Sequence, residues 1–485
     1  MATPFSHDLA VAGGGTLLIA AVLIVVARTL ARLGAGPVVI RKIPHALCGM
    51  FAAVAAFQLS SLATVAGVLA VATIALMVVV EKGMVPVPGV FDGTRSRDYG
   101  LVGFAAGALV AVLAFWPDRI AIAAGVLVLG LADAGAALVG HRFGRRRVAA
   151  SGAVRSLEGS AVFVAATFVI TLAFLVFGFQ TGVPVAVAVS VFVALSTAAV
   201  ELLVLPAADN LLITPWVALL LHVGHDLGSA DALRWLVAAV FGCAIVPFMR
   251  RMGWLDLPGA IGGGLIAATA ISLGGWFWIV APAVFIALTS VLTGYRRPVQ
   301  TEGLRGLTQV LVNGALPVMV PAIGYALTGD QVWFVVSIGG VAASIADSWA
   351  SEIGRFSRRS PVSLRTLRRV PKGTSGAVSP LGFTATWLGG TAVGAVGALF
   401  GGPMLIVIGM IAGMAGSLLD SLIGATVQGR FLCPSCHAGG EDRQHCGVFG
   451  ELVSGWRWMD NNAVNSCANM TGMVTGLAIF GLMTP

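Results

Sequence analysis

Apolar segments about 20 residues long, the length that crosses a bilayer as a helix, recur along nearly the whole of this 485-residue chain. Lipid offers the backbone no hydrogen-bond partners, so such segments must close their own bonds as helices. The composition leaves little room for anything else, with 58% of residues hydrophobic, 10% charged and a mean hydropathy of +0.94. We read an all-α, polytopic integral membrane protein of roughly 15–16 transmembrane helices. The 63 glycines suit close helix–helix contact, since small residues let helices approach in lipid. The connections are short and punctuated by Gly and Pro, too short for a sizeable soluble domain.

Within this background two distant stretches nearly superimpose: LADAGAALVGHRFGRRR from Leu131 and IADSWASEIGRFSRR from Ile345. Each sets one aspartate, Asp133 or Asp347, among small apolar residues, with a glycine seven positions on (Gly140, Gly354) and an arginine cluster at the end. A carboxylate inside a membrane helix is costly and marks a functional site by default. Its recurrence points to two similar halves, 1–230 and 231–485, with related sites.

The net charge of +8 is informative through its placement. If each apolar segment crosses once, the Arg/Lys clusters at 28–42, 95–97, 142–155, 250–251, 296–305, 355–372 and 430–443 share one side. The positive-inside rule makes that side cytoplasmic. The N-terminus then lies outside, in a cell inner (cytoplasmic) membrane protein whose polar motifs face the cytoplasm. No nucleic-acid recognition fold accompanies the basic residues, so lipid or nucleotide phosphates are the expected anionic partners. The first apolar stretch lacks a basic leader and reads as an anchor.

In the first half, RKIPH carries Lys42 and His45, and RSLEGS carries Arg155 and Glu158. Glu201 and the Asp209–Asn210 pair follow. On this topology Asp133, Glu158, Glu201 and Asp209 approach the same face as Lys42, His45 and Arg155. Acidic groups beside basic ones at a membrane boundary suit phosphoryl transfer, carboxylates holding Mg²⁺ and cations neutralising the transferred group. At these residues the chain resembles the dolichol, polyprenol and phytol kinases, which use CTP to phosphorylate an isoprenoid alcohol dissolved in the membrane. The resemblance covers most of residues 35–225. It implies site roles for Lys42, His45, Asp133, Gly140, Arg155, Glu158, Glu201, Asp209 and Asn210. The family usually has lysine where Arg155 stands, and arginine brings a planar fork in place of a point charge.

In the second half, Arg305, Gln309 and Asn313 fall four residues apart on one helical face. The stretch RVPKGTSGAVS carries Lys372, Gly373, Thr374, Ser375 and Gly376, a backbone nest suited to phosphate but not the P-loop order. LLDSLIGATVQ and WMDNNAVN supply Asp420, Asp460, Asn461 and Asn465. Together these resemble the prenyl-phosphate kinases typified by plant phytyl-phosphate kinase, which add a second phosphate to an isoprenyl monophosphate. This second resemblance spans about residues 250–480. It implies roles for Arg305, Asn313, Asp347, Glu352, Lys372, Gly373, Thr374, Asp420, Asp460, Asn461 and Asn465, with Ser375 and Gly376 completing the nest. The expected Mg²⁺ ligands are Asp133 and Glu158 in one half, and Asp347, Asp420 and Asp460 in the other.

The loop at 428–462 contains FLCPSCHAGGEDRQHC. Its CxxC followed nine residues later by His-Cys reads as a structural Zn²⁺ knuckle of Cys433, Cys436, Cys446 and one histidine, His445 preferred.

The expected activity is a bifunctional membrane lipid kinase. It converts an alcohol such as phytol, geranylgeraniol or farnesol to its monophosphate and then its diphosphate, with Mg²⁺ and CTP or another nucleoside triphosphate. Proximity would hand the intermediate to the second half at high effective concentration. The competing readings are a secondary transporter, since tandem membrane repeats with buried carboxylates also describe carriers, and a CTP-dependent cytidylyltransferase releasing pyrophosphate. A carrier needs its site near the midplane, whereas these motifs gather at one face.

Overall fold

The computed structural model describes residues 8–83, 99–150, 153–205, 208–294 and 306–484. Among them, thirteen helices are long and apolar enough to cross a membrane. In chain order the helices are α1 (Val11–Arg32), α2 (Pro37–Gln58), α3 (Leu62–Glu81), α4 (Gly100–Phe115), α5 (Arg119–Phe143), α6 (Leu157–Gly178), α7 (Val183–Leu203) and α8 (Ala208–Gly224). They continue as α9 (Ser229–Arg251), α10 (Leu257–Gly274), α11 (Phe277–Gly294), α12 (Leu307–Thr328), α13 (Val332–Gly354), α14 (Pro380–Gly401), α15 (Met404–Thr426) and α16 (Asn461–Met483). Of these α4, α8 and α11 are the shorter apolar helices. The expected 15–16 spans are reached only if the shorter helices also cross.

The chain divides into two compact units, Met1–Val240 and Phe241–Pro485, the boundary falling inside α9. In the first unit α5 is central. It packs against α2, α6 and α8, while α4 lies along α8 and α7 along α6. Val128, Leu129, Phe163, Phe192, Ile213 and Leu220 fill this core. In the second, α13, α14, α15 and α16 form one tightly packed group, with α12 against α13 and α16 and a core that includes Val393, Leu405 and Ile408. Because lipid competes with apolar side chains on equal terms, close van der Waals fit between helices holds these groups together.

One local arrangement occurs in both units. A Cβ at Gly140 would meet Ser156 Oγ at 2.6 Å, and one at Gly159 would meet the Ala136 carbonyl at 2.7 Å. Correspondingly, a Cβ at Gly354 would meet Ser379 Oγ at 3.3 Å, and one at Gly382 the Ala350 carbonyl at 3.1 Å. In each case a glycine seven residues past the helix aspartate abuts a serine, and the residue three past the aspartate abuts the glycine three past that serine. Both serines cap the next helix, Ser156 accepting from Gly159 N at 3.1 Å and Ser379 from Gly382 N at 3.0 Å. Such a cap contributes about 1 kcal/mol.

Before each serine the chain forms a short antiparallel pair that the all-helical expectation did not contain. β1 (Arg147–Ala150) pairs with β2 (Ala153–Ser156), and β3 (Val362–Ser363) with β4 (Ala377–Val378). These turns lie between helices, where strands can satisfy their backbone groups outside the hydrocarbon. A further set occupies the connection between α15 and α16. β5 (Arg430–Leu432) pairs with β6 (Gly439–Gly440) and β9 (Glu451–Ser454), beside a hairpin of β7 (Gln444–His445) and β8 (Val448–Phe449).

Among the described residues four segments have π-helical hydrogen bonding, a feature frequent at functional sites, and two of them adjoin candidate site residues. One, Val128–Ala132, runs directly into Asp133; the other, Leu311–Met319, carries Asn313. Pro317 lies within the latter and cannot donate to the carbonyl of Asn313, which gives the irregularity a cause.

Candidate functional site

In the first unit, polar side chains converge where α2, α6 and α8 begin and α5 and α7 end. A Cβ at Gly49 would meet Gly130 Cα at 2.7 Å, so α2 and α5 touch backbone to backbone. That contact brings the α2 residues Lys42 and His45, one turn apart, onto Asp133. The Lys42 ammonium pairs with Asp133 Oδ2, and His45 Nε2 stands 3.5 Å from the same oxygen. His45 is 6% exposed, its ring edge-on to Phe104 at 5.1 Å, and its Nε2 makes no hydrogen bond among the described residues.

Arg155, the penultimate residue of β2, divides its fork between two carboxylates. Its Nη1 lies 2.6 Å from Glu201 Oε1 and its Nη2 2.8 Å from Asp209 Oδ2. Burial opposes the guanidinium's charge, yet Glu201 and Asp209 more than offset that, and its pKa stands above the ordinary value. The charge of Arg155 also reaches Asp133, so both groups of residues belong to one electrostatic centre. Asp209 Oδ1 accepts from the Asn210 amide at 2.9 Å, and Asn210 Nδ2 donates to the Gly100 carbonyl at 2.8 Å, tying α8 to α4. Three carboxylates (Asp133, Glu201, Asp209) thus face the side chains of Lys42 and Arg155. Glu201 Oε2 is buried without a hydrogen-bond partner among the described residues.

Two expected members stand aside from this centre. Glu158, in the first turn of α6, takes the Arg146 amide at 3.4 Å, a position where negative charge suits the helix dipole. Gly140 serves the packing of α5 on α6 described above.

In the second unit, Asn313, Ser344, Asp347, Ser348, Asn465 and Asn469 line a small, partly open cleft. Asn469 Nδ2 donates to Asn313 Oδ1 at 3.1 Å and to the Val312 carbonyl at 3.0 Å, fixing the floor. Sequence reasoning missed Asn469, although Asn461, Asn465 and Asn469 form a series at four-residue spacing. It also missed Ser417, buried on α15 close to Asp347. Asp420 lies close enough to feel the charges of both Asp347 and Glu441. Among the described residues neither Asp347 nor Asp420 pairs with an arginine or lysine.

The Lys372–Gly376 turn sits on the end of α15. Gly376, at φ +69°, leaves no room for a side chain, since a Cβ there would meet Ala425 N at 2.2 Å and the Ser421 carbonyl at 2.4 Å. Ser375 Oγ donates to Gln428 Oε1 at 3.0 Å, and Thr374 Oγ1 to the Pro371 carbonyl at 2.8 Å, while Lys372 is exposed and Gly373 has φ +85°. Glu352 lies 3.8 Å from Arg355. Asp460 caps α16 through Ala463 N at 3.1 Å and pairs with Arg443 Nη2 at 3.1 Å, with Asn461 as the first residue of the helix. Arg305 lies outside the described residues.

Among the described residues, one group places three or more metal-ligand atoms within 4.8 Å of one another: Cys433, Cys436, His445 and Cys446. Of the two candidate histidines, the fold selects His445. The Cys436 amide foremost, together with His445, holds the Cys433 thiol down to about 6. The carboxylate sets of the two units do not reach that mutual closeness.

The fold and these sites define an integral membrane helical protein with charged centres at helix ends. Comparison with known proteins narrows this. Residues 240–473 match the family described as Integral membrane protein DUF92. The phytol kinase of Synechocystis sp. is 30% identical over 230 residues, 46% of this chain and 96% of that protein. Protein PGR of Arabidopsis thaliana is 29% identical over 284 residues, 52% of this chain and 98% of its own. An uncharacterized membrane protein of Methanocaldococcus jannaschii is 28% identical over 199 residues, 40% of this chain and 83% of its own. No solved structure matches. The chain belongs to the family of that phytol kinase.

Proposed function

We propose that this protein is a membrane kinase of isoprenoid alcohols, and that its two units perform successive steps: alcohol to monophosphate, then monophosphate to diphosphate. The buried centre of Lys42, His45, Asp133, Arg155, Glu201 and Asp209 is the observation that carries this reading. Phosphoryl transfer leaves the protein little covalent work. It asks for positioning, and for charge that meets the transferred group in a site shielded from water. Lys42 and Arg155 supply that charge, and each is already oriented by a carboxylate. His45 Nε2, buried and without a hydrogen-bond partner among the described residues, is placed to take the proton of an alcohol hydroxyl, a modest contribution for a loose transition state.

The donor is CTP or another nucleoside triphosphate, with Mg²⁺. Glu201 Oε2, without a hydrogen-bond partner among the described residues, fits such an ion in the first unit together with Asp133 and Asp209. Asp347 and Asp420, which make no ion pair with an arginine or lysine among the described residues, fit it in the second. Mg²⁺ is commonly held by one or two carboxylates together with substrate phosphates, and it would neutralise charge on the β and γ oxygens. In the second unit, the cleft amides of Asn313, Asn465 and Asn469 and the Lys372–Gly376 turn would orient a phosphate already attached to the lipid.

The location of both centres near helix ends favours this reading over a carrier, whose site belongs at the midplane. Purified protein in lipid nanodiscs, given labelled CTP and phytol or farnesol, should yield labelled lipid monophosphate and diphosphate. Lipid flux without labelled lipid would support the carrier instead, and a lipid retaining CMP with release of pyrophosphate would identify a cytidylyltransferase.

A further inference from the structure

The connection between α15 and α16 folds around four potential ligands. Cys433 and Cys436 sit on one turn, in which His437 N donates to the Cys433 carbonyl at 2.9 Å and Cys433 N to the Ala438 carbonyl at 2.9 Å. Cys433 Sγ lies 3.5 Å from the His445 carbonyl, which brings this turn against the strand that carries the remaining ligands. On the facing hairpin, His445 Nδ1 lies 3.2 Å from Cys436 Sγ and 3.3 Å from Cys446 Sγ. A tetrahedral Zn²⁺ with Zn–S of about 2.3 Å and Zn–N of about 2.0–2.1 Å sets S···N edges of about 3.6 Å and S···S edges of about 3.8 Å. The observed separations, all within 4.8 Å, need only small adjustments to meet them. Cys446 adopts φ +53°, a conformation uncommon for a side-chain-bearing residue. Here it turns the thiol back toward its three partners.

What the loop touches gives the site a purpose. Between Cys436 and His445 lie Glu441 and Arg443. Glu441 Oε2 accepts from Gln428 Nε2 at 2.9 Å, and Gln428 Oε1 accepts from Ser375 Oγ at 3.0 Å, so the loop braces the Lys372–Gly376 turn. Arg443 pairs with Asp460, the cap of the helix that carries Asn465 and Asn469 into the cleft. A stretch so rich in glycine and exposed polar groups has little apolar core of its own. A metal supplies the missing cross-link, as in other small metal-bound folds.

We infer that Cys433, Cys436, Cys446 and His445 bind one structural Zn²⁺, and that this ion positions Glu441 and Arg443 to hold the phosphate-facing turn and the α16 cap in the second unit. The metal assignment stands on the ligand geometry alone. The positioning role rests on the kinase reading of that unit.

The full chain, purified in detergent without chelator, should carry about one zinc per chain by elemental analysis, the stoichiometry of a single four-ligand site. X-ray absorption should report three sulfurs and one nitrogen. Exchange for Co²⁺ should give the strong visible bands of a tetrahedral thiolate site. Cys436→Ser and Cys446→Ser should each lower the zinc content at least tenfold. Because loss of a ligand can also disturb folding, His445→Cys serves as the companion: it should keep stoichiometric zinc with a four-sulfur spectrum. Substoichiometric zinc in the wild type, a Cys436–Cys446 disulfide, or unchanged zinc in the Cys→Ser proteins would overturn the assignment. For the positioning role, Glu441→Gln and Arg443→Ala should retain zinc while lowering kcat/KM for the lipid monophosphate by about tenfold, the equivalent of about 1.4 kcal/mol. Wild-type kinetics in both would refute it. Zinc bound in a chain without kinase activity would leave the metal site standing and sink the kinase reading, and an active chain without zinc would do the reverse.

Discussion

Replacing Arg155 by lysine keeps the charge and removes the fork, which makes it the sharpest test of the first centre. In the structure the guanidinium makes two charge-assisted contacts at once, 2.6 Å to Glu201 and 2.8 Å to Asp209. A single ammonium on a flexible stem can hold one of these carboxylates at full strength, leaving the other underpaired. The side chains are 20%, 3% and 10% exposed for Arg155, Glu201 and Asp209, so solvent screening is weak. A hydrogen bond to a charged group in this setting contributes about 1.5–3 kcal/mol. If the lost contact is also one that orients the transferred phosphate, kcat/KM for the alcohol should fall about 10- to 150-fold at 1.36 kcal/mol per factor of ten. Arg155→Met should do more, leaving two buried carboxylates without their cation at a cost of about 3–5 kcal/mol. Adding Glu201→Gln to that variant should return part of the stability, because neighbouring sites couple. The assay is the initial rate with labelled CTP and phytol in nanodiscs, read beside the thermal unfolding midpoint of each variant. An Arg155→Lys protein with wild-type kcat/KM and an unchanged midpoint would refute the bridging role.

Other perturbations separate the two units. Asp133→Asn should abolish use of the alcohol while leaving conversion of monophosphate to diphosphate intact; equal loss of both steps would show that the units do not act in sequence. Asp347→Asn should let the monophosphate accumulate, and undiminished diphosphate formation measured by thin-layer chromatography would contradict the assignment. Asn469→Leu removes the donor that fixes Asn313 and leaves its amide oxygen only the longer 3.4 Å bond from Ser344 Oγ, a loss of about 0.5–1.5 kcal/mol. It should raise KM for the lipid monophosphate and leave the alcohol step unchanged, whereas an effect confined to the alcohol step would oppose this placement of the cleft.

Some of this was legible in the residues themselves. Helix number and membrane character follow from the length and repetition of apolar runs, because the bilayer imposes one solution on every such run. Asp133 and Asp347 stood out because charge in an apolar helix has no structural excuse. The glycine seven residues on belongs to the same reading, and its neighbour across the helix pair proved to be a serine cap in both units. The Cys433–Cys446 spacing likewise announced a cluster.

Tertiary structure alone decided the pairings. Lys42 meets Asp133 across 91 positions, and Arg155 meets Asp209 across 54. Sequence spacing carries no information about such distant partners, since helix packing and the β1–β2 hairpin set the distances. The same holds for Glu158 and Gly140, whose motifs suggested ligand contact but whose surroundings give them an N-terminal turn and a helix seam. It holds too for Asn469, indistinguishable by type from other helix asparagines until α12 is laid against α16. Local chemistry fixes which segments form helices and where charge is anomalous, whereas the choice of partner belongs to long-range packing, in which each contact depends on the placement of all the helices around it.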